Sequence, residues 1–172
     1  MARDARRDAV YYQGTSDNLT VARHWVRENL YGAGAVCPCC GRLARIYRRS
    51  MGPHVAASLC SIYRAFSEHP ENDWVNVPEL LRGSRLGSGG DYAKGLLWGL
   101  IESRPEQQGP TVGWYRLTEA GVGFVLGEVG VPEHIWVYEG EVQGHEDSIV
   151  SVFDALGGQY DYFELTGRRR SG

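Results

Sequence analysis

Between Asp73 and Val129 the chain sets out short segments in an order that few folds accommodate. A short strand, "DWVNV", runs into Pro78, a residue suited to the start of a helix because its missing N–H is not needed there. A Gly/Ser turn follows, and then a second helix is expected from Asp91 to about Ser103. Asp91 would cap it, and Tyr92, Leu96, Leu97, Leu100 and Ile101 carry the apolar spacing. "SRPEQQGPTV" reads as the tip of a hairpin and "GWYRLT" as its return strand. That strand ends at Thr118, which with Glu119 opens a further helix.

The flanking segments are simpler. Pro53 precedes "HVAASLCSIYRAFSEH", where Val55, Leu59, Ile62, Tyr63 and Phe66 give the clearest amphipathic helix in the chain. Upstream, "SDNLTVARHWVRENLYGAG" predicts a shorter helix stopped by Gly32 and Gly34, and "RLARIYRRS" alternates as one strand with a basic face. The first residues lack an apolar period and read as a mobile arm. Downstream, "VPEHIWVYEGEVQG" predicts a hairpin about a Glu-Gly turn. The aromatic cluster Tyr160, Tyr162 and Phe163 can dock a partner or cover the chain's own core, and the second reading is preferred. The expected divisions are an arm over 1–18, a helix and cysteine segment over 19–53, a central domain over 54–130 and an extension over 131–172.

With 172 residues, 42% of them hydrophobic, the chain can bury a real core. No apolar run approaches the roughly 20 residues that span a bilayer, and the charged N-terminus has no apolar stretch behind it, so a cytoplasmic protein without membrane contact is expected. Net charge is −3, but it is unevenly spread. Residues 1–64 carry +6, residues 65–130 carry −4 and residues 131–172 carry −5. A basic front half can meet phosphate, while an acidic back half can meet another protein or keep the chain soluble.

Three of the four cysteines fall in "AVCPCCGRLARIYRRS". Cys37 and Cys40 stand two residues apart with Gly41 behind them, the spacing at which one turn presents two thiolates to zinc, and Cys39 points elsewhere. A structural zinc ion takes four ligands, and His54 and Cys60 complete a C-x2-C-x13-H-x5-C set. Against this, Cys60 sits among apolar helix positions, where a cysteine is commonly a small buried hydrophobe. His24, on the first helix, is a further candidate read as polar surface.

The segment order, together with "LLWGLIES" and "GWYRLTEAGVGFV", resembles the winged helix-turn-helix of MarR- and PadR-like regulators over residues 54–128. "CPCCGRLARIYRR", "LLWGLIES" and "GWYRLTEAGVGFVLGEVGVPEHIWVYEGEV" together resemble phage-encoded proteins without an assigned activity that join a Cys-Pro-x-Cys-Gly turn to a winged helix. The resemblance implies an α+β fold: a winged helix with an N-terminal zinc-knuckle segment and a C-terminal β-hairpin extension. It also implies a viral chain at work in the cytoplasm of an infected bacterium. Regulators of this kind pair through terminal helices, so a homodimer is among the implied states, although no long terminal helix here enforces one.

On that reading Tyr92 and Lys94 lie at the groove-facing end of the helix from Asp91. Arg82, Arg85, Lys94 and Arg104 contact phosphate, and Arg42, Arg45, Arg48 and Arg49 form a second patch. Asp91, Glu102 and Glu106 oppose the approach. The expected partner is double-stranded DNA, and the alternative is a host or phage protein, since winged helices serve both ends. Scattered histidines, and the lack of a phosphate-binding glycine loop, a Gly-x-Ser-x-Gly elbow or a deaminase-type zinc motif, point away from catalysis.

Overall fold

The computed structural model describes residues 6, 8–14, 18–86 and 90–169. The chain is α+β, and among the described residues it has several helices and four small sheets. In chain order its elements are β1 (Val10–Tyr11), α1 (Leu19–Glu28), β2 (Ala35–Val36), β3 (Leu43–Ala44), β4 (Tyr47–Ser50), α2 (Pro53–Glu68), β5 (Val75–Asn76) and α3 (Val77–Leu80). After the 3-10 helix Asp91–Trp98 come β6 (Ile101–Ser103), the 3-10 turn Glu106–Gln108, β7 (Trp114–Leu117), α4 (Glu119–Leu126), β8 (Val131–Pro132), β9 (His134–Tyr138), β10 (Glu141–His145), β11 (Ile149–Val150), α5 (Val152–Leu156) and α6 (Tyr162–Thr166). These divide into a unit of residues 1–49 with 136–144 and a unit of residues 50–135 with 145–172.

In the first unit, Asn18 caps α1 by accepting a hydrogen bond from the Thr20 N–H at 2.8 Å. The helix buries Ala22 and Val26, and Ala35 and Val137 are buried within the same unit. β1 pairs in parallel with β2, with Val10 opposite Ala35, and β2 pairs antiparallel with β3, with Val36 opposite Leu43. The arm expected over 1–18 therefore contains a paired strand. The single strand expected after the cysteines is two, β3 and β4. Between them the Ile46 N–H turns aside to donate to the Leu30 carbonyl at 3.1 Å. The C-terminal hairpin forms as its pattern implied, turning at Glu139 and Gly140, both with positive φ.

The second unit is built on α2. Leu59, Cys60 and Ile62 on this helix are fully buried with Val77, Leu100, Phe124, Val125 and Val152, and Tyr162 joins the same core. Each of the larger apolar side chains contributes about 1.5–3 kcal/mol by leaving water. Asn76 caps α3 by accepting from the Glu79 N–H at 3.1 Å, and Thr118 caps α4 by accepting from the Gly121 N–H at 3.1 Å. The Thr118 hydroxyl also donates to the Gly99 carbonyl, which ties the start of α4 to the chain before β6.

The helix expected from Asp91 to Ser103 ends early. Residues 91–98 form a 3-10 helix, and 101–103 form β6. Gly99 adopts φ +66, a conformation that stops a helix, and a Cβ at Gly95 would press within 3.2–3.3 Å of Ile101 and Leu59. The hairpin is as expected: β6 pairs antiparallel with β7, with Glu102 opposite Arg116. β5 joins the other side of β7, with Val75 opposite Tyr115, giving the order β5-β7-β6. The Gly/Ser turn at 87–89 lies outside the described residues.

Candidate nucleic-acid interface and cysteine turn

The cysteine turn is an extension of the β2–β3 ladder. The Cys37 N–H donates to the Arg42 carbonyl and the Gly41 N–H to the Cys37 carbonyl, each at 2.8 Å, and Gly41 takes φ +68 to close the loop. The Cys40 and Cys39 N–H groups point at the Cys37 sulfur and hold its pKa below the ordinary thiol value. Cys39, by contrast, is raised, by desolvation first and by the Cys37 charge second. Cys39 and Cys40 are exposed.

The other two expected zinc ligands, His54 and Cys60, belong to the second unit. Cys60 lies in the core of the second unit with its thiol pushed up to about 12 by burial, whereas a zinc ligand must be a thiolate. His54 is six positions earlier on α2, which places the two about 120° apart around the helix. His54 is exposed, with its ring edge-on to Tyr160 at 5.8 Å. Cys60 and His54 thus do not share a face of α2, and among the described residues no three His, Cys, Asp or Glu side chains form a metal-holding group. His24 is exposed and pairs with Glu28 at 3.1 Å.

The residues expected to contact DNA fall on both units. In the second, Lys94 is ion-paired to Asp91 at 2.6 Å and Arg82 to Glu79 at 2.8 Å, while Arg85 is exposed. Tyr92 is half-buried, edge-on to Tyr115 at 5.6 Å, rather than free at a helix end. Arg104 leads into the hairpin tip, where its guanidinium lies 4.1 Å over the Trp114 ring and donates to the Pro110 carbonyl. Arg116, which the sequence reading passed over, pairs with Glu102 across the ladder and lies 4.5 Å from the centre of the Trp74 ring.

In the first unit the arginines are differently placed. Arg45 and Arg49 lie 4.8 and 5.3 Å from the centre of the Tyr47 ring. Arg42 is exposed beside the cysteine turn, and Arg48 is exposed on β4. A cleft of about 680 Å³ opens here, bordered by α1, the cysteine turn, β3 and Tyr138. Arg23 and Arg27 reach it from α1, four positions apart on one helical face. That i, i+4 spacing was visible in the sequence, but nothing local indicated that the face would meet the cysteine turn.

No family model, curated protein or solved structure matches the chain. Among the described residues, no helix is long and apolar enough to cross a membrane.

Proposed function

We propose that the protein binds double-stranded DNA and regulates transcription or another DNA transaction, with residues 54–128 acting as a winged helix. The observation that carries this reading is the sheet order β5-β7-β6 set after α2 and around α3 and the 3-10 helix, the element order of a winged helix, with Arg104 at the hairpin that would be the wing. On this reading the 3-10 helix Asp91–Trp98 takes the recognition position, with Tyr92 and Lys94 toward the groove and Arg82, Arg85 and Arg104 toward phosphates. Lys94 and Arg82 must then exchange their present carboxylate partners for phosphate, so most of the long-range attraction comes from Arg42, Arg45 and Arg49. Cys37 and Cys40 are the two side chains that would hold zinc in the cysteine turn, where the ion would supply structural cross-linking rather than chemistry. The setting implied by the phage resemblance is the cytoplasm of an infected bacterium.

One observation favours a second reading, a protein partner from host or phage. The second unit carries net −6, and several of its cations, Arg64, Lys94, Arg82 and Arg116, are already paired to carboxylates. Binding of the purified protein to random duplex DNA over a salt series separates the two. DNA binding requires affinity that falls steeply with salt and drops further in Lys94→Glu with Arg104→Glu. Absence of duplex binding at low salt moves the function to the protein partner.

A further inference from the structure

We propose that the cleft of the first unit is a binding site for single-stranded nucleic acid, holding a phosphate between Arg23, Arg27 and Arg42 and stacking a base on the Arg45–Tyr47 pair. This inference goes beyond duplex binding and does not rest on the winged-helix reading.

Charge availability is the first ground. Among the described residues, none of Arg23, Arg27, Arg42 and Arg45 is ion-paired to a carboxylate. Glu139 is the one carboxylate among the described residues that border the cleft. Four guanidinium groups around one concavity repel each other, and an anion relieves that repulsion while matching their forked donors. Arg23 and Arg27 border the cleft together with Cys39, Cys40 and Tyr138.

Shape and aromatic content are the second ground. About 680 Å³ lies within the roughly 300–1,000 Å³ of ordinary small-ligand clefts. The Arg45 guanidinium stacked 4.8 Å from the Tyr47 ring centre makes a flat cationic platform, and Tyr138 borders the same space. Planar groups of this kind stack on any base, which gives affinity without sequence preference. A duplex keeps its bases stacked inside, so only an unpaired strand can use both the platform and the arginines.

The test is fluorescence anisotropy of the full chain with labelled oligothymidylate and oligouridylate of about ten nucleotides, the two arms separating DNA from RNA. The expected result is salt-dependent binding of at least one, weakened about tenfold or more by Arg23→Gln with Arg27→Gln. Tyr47→Ala should weaken it by about tenfold through loss of stacking. Both α1 arginines are exposed, and circular dichroism of each variant checks that the fold is kept. Binding unchanged in the arginine pair overturns the proposal, as does displacement by inorganic pyrophosphate at the concentration of a matching mononucleotide, which would mark a plain anion site. Duplex bound without oligonucleotide overturns this inference alone. Oligonucleotide bound without duplex overturns the winged-helix reading alone.

Discussion

At the scale of single residues, the four cysteines divide by environment rather than by spacing. Cys37 accepts hydrogen bonds from two backbone N–H groups, which stabilise its thiolate, whereas Cys60 sits in the apolar core, which favours its neutral thiol. In chelator-treated protein at neutral pH, iodoacetamide should therefore label Cys37 ahead of Cys39 and leave Cys60 unmodified until the chain unfolds, as peptide mass mapping would record. The same contrast makes a prediction about zinc. Cys60→Ala should leave any bound zinc at its wild-type stoichiometry while lowering stability by about 1 kcal/mol through a small cavity in the core. Zinc lost with that single substitution would restore the four-ligand set of Cys37, Cys40, His54 and Cys60.

At the scale of elements, the short C-terminal helix α5 shows how much a cap can carry. The Ser151 side chain and backbone N–H both donate to the Asp154 carboxylate, at 2.6 and 3.0 Å, and the Ser151 hydroxyl accepts in return from the Asp154 N–H at 3.2 Å. These bonds lower the Asp154 pKa below its ordinary value, through the Ser151 side chain first. A carboxylate with a depressed folded pKa adds stability that is fully present above its unfolded value of about 3.9 and is lost as pH falls through the folded one. Asp154→Asn should accordingly melt below wild type at neutral pH, with the gap closing below about pH 4 in thermal denaturation curves. A gap independent of pH would mean that shape rather than charge makes the cap. Elements of this sort were legible in the sequence because their signals are local: Thr118 and the apolar spacing of α2 announced helices that are present. The helix expected to Ser103 was not legible, because its end is fixed by Gly99 and by the close approach of Gly95 to Leu59, which is a tertiary constraint. β1 was missed because a parallel partner 25 residues away leaves no local trace. The candidate site followed the same rule. The cysteine turn could be read from four consecutive residues, whereas the cleft assembles α1, β3 and the β9–β10 turn from segments far apart in sequence.

At the scale of the whole molecule, the uneven charge of the sequence carries over to the two units as opposite net signs. The first carries nine arginines against six acids, net +3, and the second carries net −6. Attraction to a polyanion is summed over the cations that can release counterions, and a cation already held by a carboxylate contributes less to that sum. Arg82, Lys94 and Arg116 are so held, while Arg42, Arg45 and Arg49 have no carboxylate partner among the described residues. If duplex DNA is the ligand, replacing Arg42, Arg45 and Arg49 by glutamine should therefore cost more affinity than replacing Lys94 and Arg82. It should also flatten the slope of log affinity against log salt by about 2.7, or about 0.9 for each phosphate contact removed. Titrations of both variants over the same salt series measure this directly. The reverse ranking, with the larger loss of slope in the Lys94 and Arg82 variant, would show that those ion pairs open on binding and that the 3-10 helix carries the phosphate contacts.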